Sequence, residues 1–193
     1  MIRSLLVSSM LAIAVAGCQA PDGDAVPADG GDEAVAATLA SGDALTAEGI
    51  GPLRVGMYAA SIWGGPRVPG AAEASCVESE FVNGPPGVKA MIYNGVVAHV
   101  ILERPSTAKT DRGFGPGDDG AAVKAAYGAS ARVDPAMSTP PPAEDITVWT
   151  DGVVNDGFRD DHTLRGLRYN VGADGKVSRV LAGNPTIQLP NCG

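Results

Sequence analysis

His99 and His162 are the only two imidazoles in the 193-residue chain, so histidine-based acid–base or metal chemistry must be built on one of them. His162 closes the run Arg159-Asp160-Asp161-His162, which sets two carboxylates beside an imidazole. That composition suits proton transfer or metal ligation, and a hydrolase using His162 with Asp160 or Asp161 is the enzymatic reading. Neighbouring residues on a loop seldom converge on one point, however, and a solvated turn explains the same run. His99 lies within the apolar stretch Val96–Leu102 and reads as a strand residue on a sheet face. Asp118-Asp119 could hold a cation, yet the spacing of a calcium loop is absent and helix capping accounts for the pair. The serines lack a Gly-x-Ser-x-Gly elbow and no Cys-x-x-Cys occurs. The sequence therefore calls for no catalytic residue, no metal and no cofactor.

The third chemically loaded residue type is cysteine, at 18, 76 and 192. Before Cys18 come Arg3 and the apolar segments Leu5–Val7 and Leu11–Val15, the charge and length of a secretory signal rather than of a membrane-spanning helix. The segment ends in Val15-Ala16-Gly17-Cys18, which resembles the lipobox of bacterial lipoproteins. The resemblance implies cleavage after residue 17, a diacylglyceryl group on the Cys18 thiol and stable membrane attachment, because two acyl chains anchor where one does not. Gln19 stands where an aspartate would signal inner-membrane retention, so the resemblance further implies the outer membrane, facing the periplasm or the cell exterior.

If Cys18 carries lipid in an oxidising compartment, Cys76 and Cys192 remain as an even pair, and a disulfide between them is expected. Closing a loop of more than ~100 residues, such a bond contributes ~4–5 kcal/mol through the unfolded chain. Residues 18–44 are mostly Ala, Gly, Asp, Glu and Pro and read as an acidic tether too poor in apolar surface to fold. Residues 45–193 form the expected globular domain.

The formal net charge of −8 excludes a nucleic-acid partner, which would require a basic surface. Twenty-six glycines, fifteen prolines and 5% aromatics point to short strands and many turns. Within the domain, Glu48–Met57 leading into Ala59–Gly64 parallels Asp111–Asp119 leading into Ala121–Gly128: a glycine-rich loop opens a short helix that stops at glycine. Asp118 or Asp119 is placed to cap the second helix and Gly128 to end it. Each half then carries a hairpin, Val88–Leu102 about Asn94-Gly95 and Leu164–Leu181 about Asp174-Gly175, with dipeptides that supply the positive φ of a type I′ turn. Further strands are expected at Ser75–Val82, Ile146–Thr150 and Thr186–Leu189, and the proline-rich stretch through Pro135 and Pro140–Pro142 reads as an exposed loop.

The expected fold is therefore α+β: two tandem repeats, about 45–105 and 109–185, each a short helix followed by an antiparallel meander. Helices pack on one face of a single sheet, and a C-terminal strand covers 186–193. This pattern resembles the small outer-membrane lipoproteins of the SmpA/OmlA type and the tandem repeats of the β-lactamase inhibitory protein. The resemblance implies a non-enzymatic protein-binding or scaffolding module, or an inhibitor of a hydrolase such as a lysozyme or β-lactamase.

Pairing the hairpins about their turns places Met91, Tyr93, Val96, Ala98, Val100, Leu167, Tyr169 and Val180 on the core face. The opposite face then carries Ala90, Ile92, Val97, His99, Ile101, Arg168, Asn170 and Arg179. Of these, Ile92, Val97, His99, Ile101, Arg168 and Arg179 make a partly apolar, arginine-edged candidate binding face for another envelope protein. The same face is equally open to being covered by the other half or by the proline loop.

Overall fold

In the computed structural model, residues 39–40, 42–68, 70–71, 76–154 and 158–189 are described. The signal segment, Cys18, most of the tether and Cys192 lie outside them. Two short strands, β1 (Gly49–Ile50) and β2 (Leu53–Arg54), pair with each other. Seven longer ones, β3 (Val77–Glu80), β4 (Val88–Tyr93), β5 (Val96–Glu103), β6 (Ala131–Pro135), β7 (Glu144–Trp149), β8 (Gly166–Val171) and β9 (Val177–Gly183), form one antiparallel sheet in the order β3-β4-β5-β9-β8-β7-β6. The one α-helix among the described residues, α1 (Gly120–Tyr127), precedes β6.

This architecture corrects the expected pair of helix-plus-meander repeats. The protein is mostly β, and the first half has only a 3₁₀ turn, Ala59–Ser61, where a helix was expected. Gly64, Gly65 and Pro66 follow so closely that no helix can pass its nucleation cost there. In the second half α1 forms as read: the Asp119 carboxylate accepts from Ala121 N–H at 2.9 Å, and Gly128 ends the helix at φ 54°. Asp118 instead accepts from Lys109 and from Gly115 N–H, both at 2.7 Å, and these bonds hold its carboxyl below the usual range although burial pushes the other way.

Two further expectations fail for local reasons. Residues 131–135 form strand β6 rather than loop, because Pro135 falls at the end of an edge strand, where proline is tolerated. The expected strand Thr186–Leu189 is a 3₁₀ turn, Pro185–Gln188, opened by the Asn184 carboxamide accepting from Thr186 N–H at 3.1 Å, with proline at the first helical position.

Both hairpins form. Asn94 (φ 49°) and Gly95 (φ 78°) join β4 to β5, and Gly175 (φ 74°) lies in the turn from β8 to β9. The predicted faces nonetheless fail in the first hairpin, because the pairing slips between Met91 and Ile92: Met91 faces His99, whereas Ile92 faces Val97. Ala98 is the extra residue, and a bulge of this kind inverts the alternation beyond it. Ala90, Ile92 and Val97 are consequently in the main core with Val88, Val100, Leu102, Leu167, Tyr169 and Val180, while Met91 packs on the other side and Tyr93 is exposed.

The main core lies between one sheet face and a cover made of Leu45, Ile50, Leu53, Ala59, Ile62 and Val123 of α1. A Cβ on Gly120 would stand 2.7 Å from Val171 Cγ1, so glycine lets the start of α1 sit close on β8. Tyr127 Oη lies 2.8 Å from Tyr169 Oη, which donates to Thr110 Oγ1 at 3.2 Å, and burial pushes both phenols up.

Candidate functional site

The second face of the sheet, away from α1, holds most of the candidate residues. Side chains alternating with the core set place Asp145 and Thr147 of β7, Arg168 and Asn170 of β8, Arg179 and Leu181 of β9, and His99 and Ile101 of β5 on this side. At one end the face is closed by the turn Pro185–Gln188. Ile187 packs with Ile101, Trp149, Leu164, Leu181 and Met91 in a small second apolar cluster. The sheet is thinned to admit it: a Cβ on Gly166 would meet Trp149 Cε3 at 2.4 Å, and one on Gly183 would meet His99 Cδ2 at 2.9 Å and Ile187 Cγ2 at 3.1 Å. His99 is only 1% exposed beneath this turn.

The His99 imidazole lies with Nε2 2.6 Å from Thr186 Oγ1, whose hydroxyl is 2.6 Å from Asn184 Oδ1. Asn184 Oδ1 can only accept, so Thr186 donates to it and takes the Nε2–H of a neutral histidine. Nδ1 is buried and has no hydrogen-bond partner among the described residues. Burial, with Arg168 and Arg179 nearby, brings the His99 pKa from 6.5 down to about 4.

Arg168 forms the floor of the face. Its guanidinium donates to Asp145 and to Ile187 O, and Asn170 donates to the other oxygen of the same carboxylate. Arg168 and Asp145 are both almost completely buried. A buried pair of this kind contributes little net stability but fixes geometry, since removing either partner strands a charge. Above it open two cavities of about 280 and 270 Å3 that share Met137, Asp145, Arg168 and Leu189. The first adds Arg132, Thr147 and Phe158; the second adds Asn170, Ser178 and Arg179. Met137 and Phe158 are 61% and 51% exposed, so the rim is apolar and the floor polar.

No protein-family model, curated protein or solved structure matches this chain.

Of the six residues of the candidate face, Ile92 and Val97 belong to the main core. His99 and Ile101 lie on the second face but are covered by the C-terminal turn. Arg168 and Arg179 line the cavities. Arg179 is already engaged by Glu78 and Glu103, which also bind Lys89. In this network burial pushes the Glu78 carboxyl up, but its bonds to Arg179 and Lys89 bring it below its ordinary value, and Glu103 raises Lys89.

His162 is exposed, and among the described residues its ring has no hydrogen-bonded or charged partner. Asp161 instead accepts from Thr163 N–H at 2.9 Å and Thr163 Oγ1 at 2.6 Å, which holds its carboxyl below the usual range. Arg159 bonds both carboxylate oxygens of Asp151 and lies 5.9 Å from the Trp149 ring centre. The run 159–162 is thus not brought together as an acid–base site.

Met137, Asp145, Phe158 and Leu189 were not among the candidates. Asp145 and Thr147 alternate with Ile146 and Val148, a polar-out signal visible in the sequence. Phe158 and Met137 sit in irregular segments with no periodicity to mark them. Cys76 is disulfide-bonded, while the expected partner Cys192 falls outside the described residues.

Proposed function

We propose that the protein is a lipid-anchored, non-enzymatic binding module of the cell envelope, attached through Cys18 at the outer membrane. Another envelope protein is recognised by the cleft above Arg168 and Asp145. The cleft carries this reading: two adjoining cavities, each near the small end of ligand-site volumes, suit side chains of a protein partner better than a whole cofactor. Exposed apolar side chains, Met137 and Phe158, beside the fixed Arg168–Asp145 pair supply apolar contact together with a few placed polar groups, the combination a recognition site uses. The disulfide on Cys76 supports an oxidising compartment. Use of the same cleft to block a hydrolase such as a lysozyme or β-lactamase is the second form of this reading.

The test is site-specific photocrosslinking in cells with a photoreactive residue at Met137 or Phe158 and a control at Lys176, outside the cleft. A discrete crosslinked protein from the cleft positions, absent from the control and weakened by Arg168→Ala, is the expected result. Equal crosslinking from Lys176, or none from the cleft, contradicts the assignment. An enzymatic reading requires that His162→Ala abolish an activity while leaving the protein folded, and the geometry around His162 gives no support for that outcome.

A further inference from the structure

The sheet ends in two edges that differ in their cover. Beside β3, Arg67 N–H donates to Glu80 O at 2.8 Å and Val82 N–H to Gly65 O at 3.0 Å, and the Arg67 guanidinium caps the carbonyls of Phe81 and Val82. Among the described residues no such segment pairs with the outer side of β6. An uncovered edge strand is a template for a further strand.

The register identifies which groups of β6 are open. Ala136 N–H donates to Ala143 O at 3.1 Å, and hydrogen-bonded pairs alternate along an antiparallel ladder. Arg132 and Asp134, paired with Thr147 and Asp145, therefore turn their amides to β7, and Val133 turns its N–H and C=O outward. Pro135 holds the next outward position and has no N–H, and Ala131 N–H is taken by Gly128 O. The usable edge is centred on Val133, itself 44% exposed.

We propose that β6 is a self-association edge, pairing antiparallel with β6 of a second copy about a twofold axis at Val133. In that register the two Val133 residues exchange both backbone hydrogen bonds. Arg132 already pairs with Asp134 of its own strand at 2.7 Å, and in this register it also stands opposite Asp134 of the other copy in the wide pairs, so the four side chains form one network of alternating charge. The segment Arg132-Val133-Asp134 is thus charge-complementary to itself. Sliding by two residues sets Arg132 against Arg132 or Asp134 against Asp134, and brings Val133 opposite Ala131 or Pro135, so one register alone is favoured. A twofold axis perpendicular to the sheet keeps both clefts on the same side of the assembly. The contact is short, so the dimer is weak in dilute solution and gains from confinement at a membrane.

The experiment is sedimentation equilibrium of the full chain in mild detergent across a wide concentration range. The wild type shows a reversible monomer–dimer equilibrium. Arg132→Asp and Asp134→Arg each weaken it at least tenfold, and mixing the two variants restores association as a heterodimer, because two acidic positions then face two basic ones. Val133→Pro abolishes dimerisation with unchanged circular dichroism, since that amide is not used by β7. A chain that stays monomeric at the highest concentration overturns the proposal. So does a dimer insensitive to Val133→Pro, a mixture that fails to associate, or a foreign extended segment occupying β6 in place of a second copy.

Discussion

The buried histidine makes stability depend on pH in a window that can be worked out beforehand. His99 has a pKa near 6.5 when exposed and about 4 in the fold, lowered by burial and by Arg168 and Arg179. The unfolded chain therefore binds the proton more readily. The contribution of neutral His99 is fully present above pH 6.5, is lost as pH falls through the interval to about 4, and changes no further below it. At about 1.4 kcal/mol per pKa unit the full loss is about 3 kcal/mol, of which about 2 kcal/mol falls between pH 7 and pH 5. For a domain of this size that is a drop of roughly 4–8 °C in melting temperature. The same proton also brings a positive charge toward two arginines under the turn Pro185–Gln188. The assay is urea unfolding at pH 7, 6 and 5 for the wild type and for His99→Gln, whose amide keeps a donor toward Thr186 but does not titrate. Subtracting one pH profile from the other cancels the carboxylates. The difference should rise to about 2 kcal/mol at pH 5. Parallel profiles for the two proteins would refute the burial of His99 as a neutral imidazole.

Other positions give sharper local outcomes. Gly166→Ala places a methyl group against the Trp149 ring and should cost about 1–3 kcal/mol as an overpacked site, with a red-shifted tryptophan emission as the ring is displaced. Asp145→Ala leaves the Arg168 guanidinium buried without its carboxylate and should cost about 3–5 kcal/mol, whereas replacing both residues by apolar ones of similar volume should recover most of it; urea unfolding of the two variants decides. Reduction of the disulfide at Cys76 should lower stability by about 2–5 kcal/mol, and peptide mapping of the oxidised chain should find Cys76 joined to Cys192.

Local chemistry in the sequence was enough to locate the two hairpins, the capped helix α1 and its glycine stop, because Asn94-Gly95, Asp174-Gly175, Asp119 and Gly128 act within a few residues of themselves, the glycines through their own backbone and Asp119 through a carboxylate that reaches Ala121 N–H. It was not enough to count the helices, because the likeness between Ala59–Gly64 and Ala121–Gly128 ignores how few residues separate Ala59 from Gly64-Gly65-Pro66. Nor does it reveal faces: one extra residue at Ala98 exchanges Ile92 and Val97 for Met91, and nothing in the apolar run Val96–Leu102 marks where the bulge falls. Arg168 was legible as an arginine on the second face, but its carboxylate Asp145 lies on another strand and the cover over His99 comes from 87 residues downstream. Sheet pairing and the C-terminal turn, both long-range, decide which candidates are open and which are covered.

The envelope address underlies both the expected cysteine pairing and the kind of partner proposed, and metabolic labelling with an alkyne fatty acid tests it most directly. Expressed in a bacterium with the lipoprotein pathway, the wild-type chain should take up the label, sediment with the outer membrane and yield a mature form beginning at lipidated Cys18, while Cys18→Ser should remain unlabelled. An unlabelled wild type, or one released in soluble form after cleavage elsewhere, contradicts the account.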